Sequence, residues 1–409
     1  MDSDFVGWVA VVFRFVHVLA AIMWIGNSLL FTWMEFNLLK PGKDDDKNLL
    51  GTLDMLHGGG VYHLQKLTLR PGAIPVPLHS FMWQSYTTWI SGFVLILTLY
   101  SIGGGSFFLD ASKSTLPGAV AVMISLGGLI GGWVVYDQLW RSPLRNVPWL
   151  AVSLSLGLLF SAAFFFNTVF NGRAVYLQIG AMMGTMMSAN VFFHIIANQR
   201  KIMAALEAGH PHDIELGKAA KSRSLHNHYM TFPVLFLMLS AHFPQLYSAP
   251  WNVAILAVIV ISLMIVKLLM NLRYRFADWL HMLGGTVLLA FAAIYIFLAL
   301  PSVMQPASGA DAIATAGKQV FLGQGCAACH MQGSSELTPQ LHGVFGTVQV
   351  LSDGTDVMAD DAYIRESITH PQARIVKGYA AAMPAYANVL SAEQLDQLVA
   401  YIRSVGRQP

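Results

Sequence analysis

The sequence predicts an all-α protein: a polytopic membrane helix bundle of about eight spans fused to a small soluble all-α domain. Three observations predict it. Of the 409 residues, 55% are hydrophobic and 11% charged, where a soluble domain carries about 25% charged residues. Charge-poor stretches long enough to cross about 30 Å of hydrocarbon recur along the first three quarters of the chain. Beyond them the composition changes, and both cysteines of the chain lie in that last part. The net charge of +2 is too small to suggest a nucleic-acid partner.

The spans read in order as 5–34, 81–102, 117–136, 147–170, 175–197, 228–243, 251–270 and 279–300. The first begins behind Asp2 and Asp4, not behind a basic segment, and is read as a retained span. The sixth is short and carries Pro233 and His242. Counted in alternate loops, fourteen Lys and Arg residues from Lys40 to Arg275 lie on one side, against Lys113 and Arg173 on the other. Positive charge marks the cytoplasmic side. Both ends of the chain, and the soluble domain with them, are therefore expected in the periplasm of a bacterial inner membrane.

Within the first span, Arg14 and His17 are one helical turn apart on one face. Ionisable groups there are functional hypotheses by default. His17 reads either as a neutral side chain bonded within the bundle, with Arg14 snorkelling outward, or as a ligand of a non-covalent b-type haem whose propionate meets Arg14. The segment 35–80 is the longest connection and holds Asp44–Asp46, Gly58–Gly60, Tyr62, His63 and Arg70. Its length and side chains suggest a lid or binding loop. Gly127, Gly128, Gly131 and Gly132 suit close helix packing. His79, His194, His226, His228 and His281 all fall at the cytoplasmic ends of their spans. Together they suggest a polar pocket, able to ligate a haem or to bind a planar nitrogenous or anionic substrate.

The domain boundaries follow from composition: a membrane domain over 1–300, a Pro/Ser/Gly/Ala-rich linker over 301–311 and a soluble domain over 312–409. In the last, Cys326-Ala327-Ala328-Cys329-His330 is the attachment spacing of a c-type haem. Two thiols add to the two vinyl groups of one porphyrin, and the following histidine reaches the iron from the same turn. A zinc half-site would need further Cys or well-spaced His ligands that are not nearby. Helices are expected over 312–322, 361–368 and from an N-cap at Ser391 to about Val405. The domain resembles class I cytochromes c. That resemblance makes Met383, in Tyr379–Tyr386, the second axial ligand ahead of Met331 and Met358, and gives the Pro339 carbonyl a hydrogen bond from the ligating imidazole.

A one-electron carrier joined to eight spans must exchange electrons with them. A passive anchor needs one span only, and a terminal oxidase needs a dense helical histidine set, whereas these histidines mostly occupy helix ends. Three segments stand out: His17–Asn27, Leu78-His79 through Trp83 to Trp89-Ile90-Ser91-Gly92, and His226-Asn227-His228-Tyr229-Met230-Thr231-Phe232-Pro233. They carry a resemblance, over nearly the whole length of the chain, to the membrane-bound urate oxidase (urate hydroxylase) family. It implies oxidation of urate to 5-hydroxyisourate, with water as oxygen source and electrons leaving through the haem to a periplasmic acceptor or terminal oxidase without hydrogen peroxide. The alternative is a quinol-oxidising or terminal-oxidase-associated subunit. Arg70, His79, His226 and His228 are the catalytic candidates, and a histidine near neutrality suits the base that deprotonates water. A cytoplasmic substrate and a periplasmic haem are separated by about 30 Å of membrane. An additional haem b is therefore expected, with His17, His79, His194, His242 and His281 as candidate ligands.

Overall fold

The computed structural model describes residues 3–72, 78–103, 108–109, 113–114, 116–304, 309–324, 326–330, 338–379, 381, 383–387 and 389–405. Eight long helical segments overlap the eight expected spans, the sixth of them only over 228–239. They are α1 (Ser3–Asn37), α2 (Met82–Gly103), α3 (Gly118–Arg141), α4 (Pro148–Val169), α5 (Gly172–Ala189) with its continuation, α7 (Ile214–Leu239), α9 (Asn252–Leu272) and α10 (Trp279–Met304). Helix α5 runs through one π-helical stretch, Asn190–Ile196, into α6 (Ala197–Glu207). The short α8 (Pro244–Tyr247) precedes α9. Among the described residues, six of these segments are long and apolar enough to cross a membrane, which makes this a membrane protein. The α7 segment is not one of the six, because its first turns are polar: it begins at Ile214, well before the start expected at residue 228.

The connection between α1 and α2 is not a structureless lid. It folds as an antiparallel hairpin of β1 (Leu49–His57) and β2 (Gly60–Leu67), with His57 paired to Gly60. Gly58 and Gly59 form the two-residue turn at φ 60° and 82°. Positive φ at both central positions is what a tight hairpin of this twist requires, so these glycines serve the turn. Asp54 and His63 face each other across the strands at 2.7 Å.

Packing divides the described chain into two compact units, one formed by 1–96, 182–234 and 264–283, the other by 97–181, 235–263 and 284–409. In the first, polar side chains tie the helices. Asn27 donates to Gln84 Oε1 at 2.7 Å, Ser85 and Ser188 meet at 3.1 Å, and Asn190 donates to Asn227 Oδ1 at 2.9 Å. Buried and half-buried bonds of this kind hold helices together where apolar side chains alone give no preference between neighbour and lipid.

In the second unit, Gly128 lets α3 approach its neighbours: a Cβ there would stand 2.6 Å from the Phe166 ring, whereas Gly127 and Gly131 face open space. Ser125 and Gln178 bond reciprocally across the same approach, at 2.6 and 2.8 Å. The C-terminal part of this unit comprises α11 (Gly309–Gly323), α12 (Ala327–His330), the small hairpin β3 (Val348–Val350) and β4 (Asp356–Met358), α13 (Asp361–Thr369) and α14 (Ala392–Val405). Phe321, Tyr363, Ile364, Ile368, Leu398 and Ile402 are buried in its core. Helices α11 and α14 cross at Gly317, where a Cβ would collide with the Gln397 carbonyl. Asp360 caps α13 by accepting from the Tyr363 amide, and Ser391 and Gln394 form a reciprocal capping box before α14.

Candidate functional site

The C-terminal part encloses a cavity of about 340 Å³ against which Cys326, Cys329, His330 and Met383 all stand. Its remaining wall is largely apolar, with Leu341, Val344, Ile364, Ile368 and Leu398 among its members. The Cys329 and His330 amides donate to the Cys326 carbonyl, at 3.2 and 2.9 Å, so the two thiols and the imidazole emerge from one helical turn. His330 Nδ1 donates to the Pro339 carbonyl at 3.0 Å. A carbonyl can only accept, so in the neutral ring Nε2 carries the lone pair. Burial pushes the His330 pKa down against the opposing effect of the Pro339 bond, which favours that neutral, metal-ligating form. Burial likewise pushes the Cys326 thiol up. Paired thiols, an imidazole oriented by a carbonyl, a thioether in the same lining and an apolar wall together fit a haem c. Met358 lies on β4, about half exposed and outside this wall, and Met331 falls outside the described residues.

The first unit holds a second polar centre, on α7. His228 is buried, and its Nε2 stands 3.1 Å from Asn271 Oδ1 on α9, the bond that requires Nε2 to donate. Its Nδ1 faces Thr32 Oγ1 on α1 at 3.4 Å, while that hydroxyl donates to the Ser28 carbonyl at 2.8 Å. Beside it Asn227 donates to the Met187 carbonyl at 2.9 Å and accepts from Asn190 at the head of the π-helical stretch. Such stretches are uncommon and often sit at functional sites, since the widened turn redirects side chains. Arg223 is buried one turn before Asn227, and His226 is half-buried.

Lys267 on α9 has 2% of its surface exposed, and its Nζ stands 5.0 Å over the Phe232 ring. Among the described residues no carboxylate forms an ion pair with it. A cation in this position is held by aromatic faces and polar neighbours. Lys267 and Asn271 were not singled out from sequence. A charge inside the 251–270 span was the available signal for the first, whereas nothing marked the second.

The other candidates are distributed differently. Arg70 and His79 are exposed on the segment between β2 and α2. His281 opens α10 with 89% of its side chain exposed, 3.9 Å from Asp278. His242, itself exposed, ends a 3₁₀ turn after α7 whose first residue, Ser240, is buried, and His194 is half-buried in the π-helical stretch. His17 is the most constrained of the expected haem b candidates. Its Nδ1 donates to the Thr88 carbonyl at 2.9 Å and stands 3.1 Å from Ser91 Oγ. The ring lies against Gly92, where a Cβ would come within 2.9 Å of it. Among the described residues no three His, Cys, Asp or Glu side chains converge to hold a metal ion.

A family model described as urate oxidase N-terminal matches residues 3–298, and one described as cytochrome c matches residues 314–406. A comparison with curated proteins returns no match.

Proposed function

We propose a reaction for a chain that belongs to the urate oxidase N-terminal family and carries its own cytochrome c domain: urate and water give 5-hydroxyisourate, two protons and two electrons. As a cytochrome-linked oxidoreductase it would pass these electrons to a respiratory acceptor, and no hydrogen peroxide forms. The observation that carries the proposal is the joining of that N-terminal domain to a pocket bearing Cys326, Cys329, His330 and Met383. Cys326 and Cys329 would hold haem c there and His330 and Met383 would ligate its iron, and the group would supply a one-electron acceptor of raised potential.

The chain's own residues supply the acid–base chemistry. His228, fixed by Asn271 as the Nε2–H tautomer, presents Nδ1 as a base, and His226 lies two residues before it on α7. Either would take the proton from the attacking water, a step typically worth about 10² to 10⁴ in rate. Buried Arg223 and Lys267 offset the charge of a urate monoanion. Arg70 and His79, exposed on the segment before α2, would meet the substrate from solution.

The excess of Lys and Arg in one set of loops supports an inner-membrane orientation with both ends in the periplasm. A periplasmic carrier or terminal oxidase then takes the electrons. Anaerobic addition of urate to membranes containing the holoprotein tests the reading. Reduction of the c-haem absorbance by urate is the expected result; reduction by quinol alone would overturn it in favour of a quinol-oxidising subunit.

A further inference from the structure

His228 is buried, so a molecule that reaches its Nδ1 has to pass a part of the protein that gives way. The two side chains that meet its ring show where that part lies. Thr32 sits in the last turns of α1, and Asn271 is the penultimate residue of α9. Both helices therefore finish close to the centre, and the residues that follow on each are its nearest cover on that side.

Those residues meet. Phe36, one turn beyond Thr32, stacks on Tyr274, three residues beyond Asn271, with ring centroids 4.9 Å apart and planes at 15°. The Tyr274 hydroxyl accepts from Asn37 Nδ2 at 3.4 Å and from the Arg273 guanidinium, which lies 4.6 Å from the centroid of the same ring. Each contact is modest by itself, and all of them converge on one side chain. That side chain is 37% exposed and stands in the turn after α9, outside any helix.

The two halves of the stack are held differently. The end of α1 is tied to the β1–β2 hairpin: Glu35 pairs with Lys66 of β2, and Leu39 and Thr52 exchange both backbone hydrogen bonds, at 2.8 and 3.1 Å. Gly51 lies so close to this end that a Cβ there would stand 2.9 Å from the Leu39 carbonyl oxygen. The hairpin thus braces the segment that carries Phe36. Tyr274 has its side-chain contacts to keep it in place, and a ring at the surface can swing outward without disturbing a helix.

We propose that Tyr274 is the gate of the His228 centre, closing against a braced Phe36 and opening away from it, and that it determines by size what reaches Nδ1. The inference rests on the assignment of His228 to the reaction, and its test involves no turnover.

The test reads access to position 32, whose hydroxyl faces His228. Thr32→Cys in the full-length holoprotein is treated with an anionic methanethiosulfonate, a charged reagent that does not arrive through lipid or detergent, and labelling is followed by mass spectrometry. The parent protein, with Cys326 and Cys329 alone, sets the background. The expected result is slow labelling, accelerated about ten-fold or more when Tyr274→Ala removes the stack, the cation–π contact and the hydroxyl together. Tyr274→Phe keeps the stack and should accelerate it by a smaller factor. Ser85→Cys, at a buried position on α2 against Ser188, reports general loosening and should label no faster in Tyr274→Ala. An unchanged rate at position 32 in Tyr274→Ala would overturn the gate, and so would equal acceleration at both introduced thiols. Anaerobic haem reduction by urate is measured separately, so failure of that reaction leaves the labelling result standing, and failure of the gate leaves the reaction standing.

Discussion

Replacing Asn271 with Leu separates what the α7 centre does for stability from what it does for chemistry. The side chains are close in volume, but Leu offers no acceptor to His228 Nε2, which lies 3.1 Å from the Asn271 oxygen in a buried site. Leaving a buried donor unsatisfied costs about 1–3 kcal/mol. If His228 is also the base, the tautomer that presents Nδ1 is no longer enforced, and the rate should fall by up to the roughly 10²- to 10⁴-fold that general-base catalysis contributes. Thr32→Val is the internal comparison. Its hydroxyl is only 3.4 Å from Nδ1 and already donates to Ser28, so the change should stay within about 0.5 kcal/mol. The assay pairs thermal unfolding in one detergent with the first-order rate of haem reduction after anaerobic mixing with urate. An Asn271→Leu protein with both values unchanged, or a Thr32→Val protein damaged as much, would refute the reasoning.

Met383→Ala should leave the haem attached through Cys326 and Cys329 while lowering its potential; an unchanged potential would assign the sixth ligand elsewhere. Gly317→Ala places a methyl group against the Gln397 carbonyl. Overpacking of this kind costs about 1–3 kcal/mol, more than the roughly 1 kcal/mol of helix propensity gained. In a domain of this size that lowers the melting temperature by several degrees, and an unshifted melting curve would count against the α11–α14 crossing. A reduced pyridine haemochrome spectrum should contain b-type haem alongside c-type, with the b component lost in His17→Ala. A spectrum with c-type haem alone, one per chain, would sink the expectation of haem b.

Hydropathy and charge marked the six segments that are long and apolar enough to cross a membrane because a span must be apolar over its whole length, whatever its neighbours, and for the same reason they missed the polar first turns of α7. The hairpin between α1 and α2 escaped notice for a related reason. Residues of β2 are exposed on both faces, so no alternation of apolar and polar residues reported the strand. The legible part was the turn: Gly58 and Gly59 at positive φ are a hairpin signal, and their company of Tyr, His and Arg suggested a binding loop instead. In the soluble part, capping chemistry gave the start of α14 to within a residue, since the Ser391–Gln394 box is local in sequence.

Locality also explains which parts of the two centres could be read. Cys326, Cys329 and His330 share one helical turn, so their spacing alone specifies the geometry that attachment requires. The α7 centre is assembled across 43 residues between His228 and Asn271 and across 196 between His228 and Thr32. Hydropathy locates a residue along a helix axis but says nothing about the direction in which it points. His228 and His281 therefore read as equivalent, and yet the first is buried among polar partners and the second almost fully exposed. Charge is the exception, because an ionised group within a span has to face protein wherever it lies on the axis. By that rule Lys267 was as legible as His17. Its burial against Phe232 and beside His228 indicates that intramembrane cations deserve to be weighed before histidines when a substrate anion is expected.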